Sequence, residues 1–166
     1  MDLHEIKEYI PKTNTINKDR KYYIKNNVFI KIDEDVDRGK REAEFLKQLD
    51  HKYIQRYIRS YVKSDFHYLE TDYFNSNTLE NISFSRSEIK TIQSQLLEVI
   101  SYLSIKGIKH CDINVSNILY NGEKILLIDW EAARFGDALE DLFGPPTPTN
   151  HCGIINVINY VRRKKK

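Results

Sequence analysis

His110-Cys111-Asp112-Ile113-Asn114-Val115-Ser116-Asn117-Ile118-Leu119, followed by Ile128-Asp129-Trp130-Glu131, is the stretch whose reading decides the fold. Taken singly, its parts say little. An isolated Asp or Asn beside a turn is ordinarily a turn former, because its short side chain bonds the nearby backbone. A lone His-x-Asp pair carries no more weight. The set gains its meaning from its setting: a long helix before it, and a strand, a turn and a second strand after it.

That setting is legible in the pattern. Ser85 and Glu88 form a Ser-x-x-Glu capping signature. Ile89, Ile92, Leu96, Val99, Ile100 and Leu103 then recur every three or four residues, which predicts an amphipathic helix. Gly107 supplies its stop. Residues 118–120 and 125–128 read as short strands, with Asn121-Gly122 as the turn between them.

The N-terminal half has a different texture. Residues 22–32 (YYIKNNVFIKI) read as a hairpin about Asn26-Asn27, since Asn tolerates the positive φ of a tight turn. A polar stretch follows, then a helix over roughly residues 40–49 with Phe45, Leu46 and Leu49 on one face. Glu42 shares that stripe and Glu44 falls off it. Two more strands are expected at 57–62 and 66–74, with Ser64-Asp65 turning between them. The link between the halves falls at residues 72–79. Strands gathered in one half and helices in the other define the α+β class.

Composition bounds the rest. The 166 residues are 40% hydrophobic and 30% charged with net charge +2, the profile of one soluble globular domain. No apolar run approaches the ~20 residues that cross a bilayer. The first residues lack the charged-then-apolar order of a signal peptide. Two cysteines, Cys111 and Cys152, make neither a disulfide framework nor a four-cysteine zinc site. These features place the chain inside a cell, in a reducing compartment. Arg162-Arg163-Lys164-Lys165-Lys166 reads as a solvated, disordered solubilising end, with an anionic surface, a nuclear signal or nucleic acid as the sharper alternatives. The small net charge does not by itself imply nucleic acid, which only the basic tail supports, so nucleic acid is not the expected partner.

The spacing His-x-Asp-x-x-x-x-Asn, then an apolar strand, then Asp twelve residues after the Asn, resembles the catalytic and metal loops of the protein-kinase-like superfamily. The resemblance covers roughly residues 15–145. It implies a compact two-lobed fold with a reduced N-lobe sheet (residues 1–75), a shortened helical C-lobe (76–161) and the basic tail (162–166). It also implies phosphoryl transfer from ATP with Mg²⁺. Asp112 would orient the acceptor hydroxyl and accept its proton. His110, grouped with it as catalytic, would brace the loop. Asn117 and Asp129 would offer hard oxygen ligands to Mg²⁺. Leu119 would form the floor under the base. Val28-Phe29-Ile30-Lys31 resembles the kinase Val-Ala-Ile-Lys strand, so Lys31 would hold phosphate with Glu42 as its partner. Residues 70–74 resemble the kinase hinge, with backbone groups of Asp72 and Phe74 on adenine and Thr71 guarding the back pocket.

The chain departs from the family in several places. No Gly-rich loop is present; residues 13–20 (TNTINKDR) stand there, with Lys18 or Arg20 as substitute phosphate holders. Phe29 stands where a small residue covers adenine. Cys111 replaces the Arg that pairs with a phosphorylated activation loop, which predicts no switch of that kind. Glu131 replaces the glycine of Asp-Phe-Gly. Gly136-Asp137 and Asp141-Leu142 resemble pairs found in aminoglycoside- and choline-type kinases. Only 37 residues follow Asp129, so self-association or a partner protein is expected at the short C-lobe. The acceptor is a hydroxyl, on a Ser/Thr protein or on a small molecule. A pseudokinase that acts by binding a partner is the further alternative.

Overall fold

The computed structural model describes residues 7–8, 19–143 and 153–166. They form two compact units: one of the described residues up to Asp50 with Gln55–Phe74, the other of His51–Ile54 with the described residues of Asn75–Lys166. Residues 13–18, expected to replace the Gly-rich loop, lie outside the described residues.

The first unit is a five-stranded antiparallel sheet and one helix. Strands β1 (Lys7–Glu8), β2 (Arg20–Lys25), β3 (Val28–Asp33), β4 (Tyr57–Lys63) and β5 (Phe66–Asp72) lie in the order β1-β2-β3-β5-β4. Both hairpins close on two-residue turns with left-handed backbone. Asn26 and Asn27 have φ of 49° and 64°, and Ser64 and Asp65 have 49° and 63°. Such turns match the twist of the flanking strands. The alternation of the sequence showed four of these strands; the fifth, β1, is two residues long and too short to carry a pattern.

Helix α1 (Val36–Leu46) starts earlier than residue 40 and ends before residue 49. Its first turn is polar, so apolar periodicity could not reveal it. Asp35 starts it by accepting the Arg38 N–H at 3.0 Å. The buried Asp33 anchors it: Arg38 bonds both carboxylate oxygens at 2.9 and 2.6 Å, and Arg20 bonds one at 3.2 Å. Burial alone would raise the Asp33 pKa. The bonds from Arg38 and the Asp35 amide, with the nearby Arg20 charge, outweigh it and hold the group below its ordinary value. The helix buries Glu42, Ala43, Phe45 and Leu46, while Glu44 is exposed. Gly39 passes so close to β5 that a Cβ there would stand 2.4 Å from His67 Nδ1.

The second unit is built on helix α2 (Arg86–Lys106). Ser85 and Glu88 form a full capping box, and Gly107 ends the helix with φ 62°. Its inner stripe, Ile89, Ile92, Leu96, Val99, Ile100 and Leu103, is buried. Strand β6 (Asn77–Thr78) joins the hairpin of β8 (Ile118–Tyr120) and β9 (Ile125–Leu127). Gln95 ties α2 to that hairpin: its amide donates to the Glu123 carbonyl at 2.9 Å and accepts the Ile125 N–H at 2.8 Å. Strands β7 (Ile108–Lys109) and β10 (Arg134–Phe135) pair separately.

Helix α3 (Ile154–Arg163) packs on α2 through Ile154, Val157 and Val161. Here the basic end differs from a disordered tail. Arg162 and Arg163 are helical, the Phe84 N–H donates to the Lys164 carbonyl at 3.1 Å, and the Lys166 N–H donates to the Phe84 carbonyl at 2.9 Å. The five side chains are exposed, as like charges require, but backbone pairing fixes the chain beneath them. Among the described residues, no helix is long and apolar enough to cross a membrane.

Candidate active site

In the first unit, strand β3 and helix α1 bring Lys31 and Glu42 together. The Lys31 ammonium donates to the Glu42 carboxylate at 2.7 Å, with the residues 6% and 1% exposed. Alternation along β3 and the inward stripe of α1 aim both side chains to the same side. A buried pair of this kind costs desolvation for each charge, so it is weak evidence of a stability role.

Asp72 and Phe74 lie at the end of β5 and just beyond it, both half-buried. The Asp72 N–H donates to the Arg56 carbonyl at 3.2 Å, and its carboxylate takes Arg56 in a two-pronged pair at 2.6 and 2.8 Å. The Tyr73 N–H donates to the Asn27 carbonyl at 3.0 Å, which ties this segment to the first hairpin. Thr71 is fully buried, and its hydroxyl accepts the Gln55 amide at 2.8 Å. Arg20 is occupied by Asp33.

In the second unit, the loop from His110 to Asn117 is held by side chains that bond the backbone and one another. The His110 ring is fully buried and packs edge-on against Trp130 at 4.6 Å. Its Nδ1 accepts the Asp112 N–H at 3.2 Å, so Nε2 carries the hydrogen and donates to the Ile128 carbonyl at 3.0 Å. Burial holds its pKa below the ordinary value, which suits the neutral ring. His110 is therefore a brace.

Asp112 is half-buried and its two carboxylate oxygens are each held. Asn117 Nδ2 donates to Oδ2 at 2.8 Å, and Asn114 Nδ2 donates to Oδ1 at 3.0 Å. Asn117 Nδ2 also donates to the Asp112 carbonyl at 3.0 Å. Asn114 was not singled out by spacing, yet its Oδ1 accepts from the Ser116 N–H, the Ser116 hydroxyl and the Asn117 N–H. It is the local organiser of the turn, the ordinary work of an Asn. Leu119 is half-buried on β8.

Asp129 follows Ile128, whose N–H donates to the Asn117 carbonyl at 3.0 Å while its own carbonyl takes the His110 ring. Asp129 has φ 66° and Cys111 has φ 67°. Left-handed backbone at non-glycine residues is strained and persists where the surroundings enforce it. Both instances flank this loop.

A second carboxylate explains the strain at Cys111. Asp141, 4% exposed in the short 3₁₀ turn Ala138–Leu142, accepts the His110 N–H at 2.6 Å and the Cys111 N–H at 2.9 Å. Burial pushes its carboxyl up while the two amides pull it down, and the net direction is upward. The sequence signal was the Asp141-Leu142 pair; its contact with the loop, 31 residues away at His110, was not visible in it.

The donor chemistry of this half fits a hard cation. Both Asn117 Nδ2 bonds go to oxygen acceptors, so the network fixes the amide orientation and leaves Oδ1 as the ligand-type oxygen. Asp129, twelve residues on in the same unit, would be the second oxygen donor.

Comparison with known proteins agrees with this geometry. The protein kinase domain family matches residues 12–161. The chain belongs to that family. The "Probable serine/threonine-protein kinase YbdM" of Bacillus subtilis is 31% identical over 103 residues, covering 58% of this chain and 40% of that protein. The CTD kinase subunit alpha of Schizosaccharomyces pombe is 33% identical over 101 residues, covering 57% and 17%. The mouse phosphorylase b kinase gamma catalytic chain, liver/testis isoform, is 31% identical over 125 residues, covering 69% and 31%. The chain thus spans less than half the length of these curated relatives. Its protein-kinase-like α+β fold follows from the family.

Proposed function

We propose that this kinase domain transfers the γ-phosphoryl group of ATP to a hydroxyl acceptor, in the manner of a serine/threonine-protein kinase. The carrying observation is Asp112, whose carboxylate is held by Asn117 and Asn114 and whose backbone is braced by His110. A carboxylate so fixed is oriented for a hydroxyl proton before the acceptor arrives. Asn117 and Asp129 hold Mg²⁺ through oxygen. Lys31, set by Glu42, holds phosphate oxygens. The backbone of Asp72 and Phe74 takes the adenine, and Leu119 lies against it. Bound Mg²⁺ supplies charge neutralisation on the transferring phosphate. The protein's own share is positioning and proton acceptance at Asp112. The whole chain acts as a single kinase-like domain within a cell.

One observation favours a small-molecule acceptor as a second reading. Twelve residues after Asp129, Asp141 is already bonded to the loop, and the segment between is spent on a turn, strand β10 and a 3₁₀ turn. It holds no Ser, Thr or Tyr.

The test is labelling with γ-labelled ATP and Mg²⁺, offering a Ser/Thr peptide library in one arm and hydroxylated small molecules in the other. Wild type transfers label; Asp112→Ala and Asp129→Ala lose at least ~100-fold. Equal labelling by all three proteins, or none by a folded wild type, sinks the proposal.

A further inference from the structure

The sequence reads the basic end as a solvated appendage. The structure makes it part of a surface. The Lys164–Lys166 backbone pairs with Phe84 immediately before α2 begins, and α3 delivers Arg162 and Arg163 to the same place. Arg162 reaches Gln93 of α2 at 3.5 Å. On α2, Arg86, Lys90 and Gln93 lie three and four residues apart and so share one stripe. Arg86 and Lys90 are exposed, as are residues 162–166. Seven cations from α2, α3 and the closing segment are thereby gathered at one end of this unit.

Among the described residues few acids offset them. Glu88 does: it is near enough to feel Lys166, and the Ser85 hydroxyl and N–H of the capping box hold its carboxylate below the ordinary pKa, so it stays charged and offsets one of the seven cations. Glu80 is nearby, with its carbonyl accepting the Tyr160 hydroxyl at 2.9 Å. Exposed apolar side chains are sparse beside the charge. Among the described residues the large exposed hydrophobics include none in 84–90 or 160–166, Ile155 sits at the opposite end of α3, and Leu97 follows Gln93 by one turn on the same α2 stripe. A membrane-surface helix combines charge with inserted apolar side chains. A strongly cationic face with so little apolar surface suits a phosphate backbone read without regard to sequence.

We infer that residues 162–166 together with Arg86 and Lys90 form one composite site for a nucleic-acid strand. The cations contact backbone phosphates. Because the backbone under Lys164–Lys166 is already fixed, little ordering opposes binding. This surface is independent of the phosphotransfer reading.

The test is fluorescence anisotropy of the full chain with labelled random-sequence single-stranded RNA and DNA of about 16 nucleotides. Both bind, about equally, and affinity falls about 50-fold between 50 and 200 mM salt, as release of several counterions requires. Lys164→Glu/Lys165→Glu/Lys166→Glu and Arg86→Glu/Lys90→Glu each weaken binding by about tenfold or more and flatten the salt slope. Lys21→Glu, an exposed cation of the other unit, does not. Unchanged binding by Arg86→Glu/Lys90→Glu overturns the composite site and returns the end to a simple basic tail. Salt-independent binding overturns it too. So does capture by phosphatidylserine vesicles without binding to either nucleic acid.

Discussion

The two clusters of candidate site residues, one in each unit, are held by opposite means. In the first unit, Lys31 and Glu42 stand on a regular strand and a regular helix, and each fixes the other by a direct ion pair. In the second, Asp112 stands on irregular backbone, and its position comes from side chains bonding amides: His110 on the Asp112 N–H, Asn114 on Ser116 and Asn117, Asp141 on His110 and Cys111. An ion pair between two side chains can be exchanged for something else of the same shape. A carboxylate that satisfies backbone amides cannot, because the amides remain when the side chain changes.

The first consequence is the largest. Lys31→Met leaves the Glu42 carboxylate buried without its cation, and should cost about 3–5 kcal/mol by chemical denaturation. The double variant Lys31→Met/Glu42→Leu should recover most of that loss, while nucleotide-dependent thermal stabilisation stays absent. If the double variant is no more stable than the single one, the two charges do not offset each other's burial.

Asp141→Leu should behave differently. It leaves the His110 and Cys111 N–H groups without their acceptor, at about 1–3 kcal/mol for each amide that water does not reach. No apolar partner substitution can offset it. The sharper readout is kinetic: with Asp112 still present, kcat should fall more than KM rises, since the loop and not the nucleotide is displaced. A variant with native stability and turnover would remove Asp141 from the brace.

The same contrast explains what the sequence could reveal. Regular elements advertise themselves: the α2 stripe, its Ser85–Glu88 cap and the Asn26-Asn27 turn are local patterns with local causes. The His110–Asn117 loop was legible through residue spacing, because each side chain works within a few positions of its neighbours. Asp141 was not legible as a brace, nor Gln55 as the partner of Thr71, since both act on residues distant in sequence. The first turn of α1 was missed because Asp33, Asp35 and Arg38 build it from charge and not from apolar periodicity. The fixed backbone of the basic end was missed because its cause is a single pairing with Phe84, some 80 residues earlier.

The smallest expected effect lies behind α1, and it tests how firmly the first unit holds its helix. His67 on β5 is 2% exposed, and among the described residues its Nδ1 has no hydrogen-bond partner. Gly39 covers that nitrogen so closely that a proton there has no acceptor to meet. Burial lowers the His67 pKa from 6.5; the Asp33 charge across the β3–β5 pairing opposes this, and Lys40, Lys47 and Lys31 add to it. The unfolded chain therefore binds a proton below pH 6.5 that the folded chain resists. The stability due to neutral His67 is complete above pH 6.5 and is lost as pH falls through the lower, folded value. Asp33, also held low, loses its contribution only in a more acidic window, below its ordinary 3.8. Thermal melts of wild type and His67→Leu should run parallel above pH 6.5 and converge or cross below it, with the variant declining less. Amide exchange of α1 should rise in wild type over the same interval and stay flat in the variant. Identical pH profiles for the two proteins would mean that α1 accommodates the charged ring, and that the tight contact at Gly39 yields at little cost.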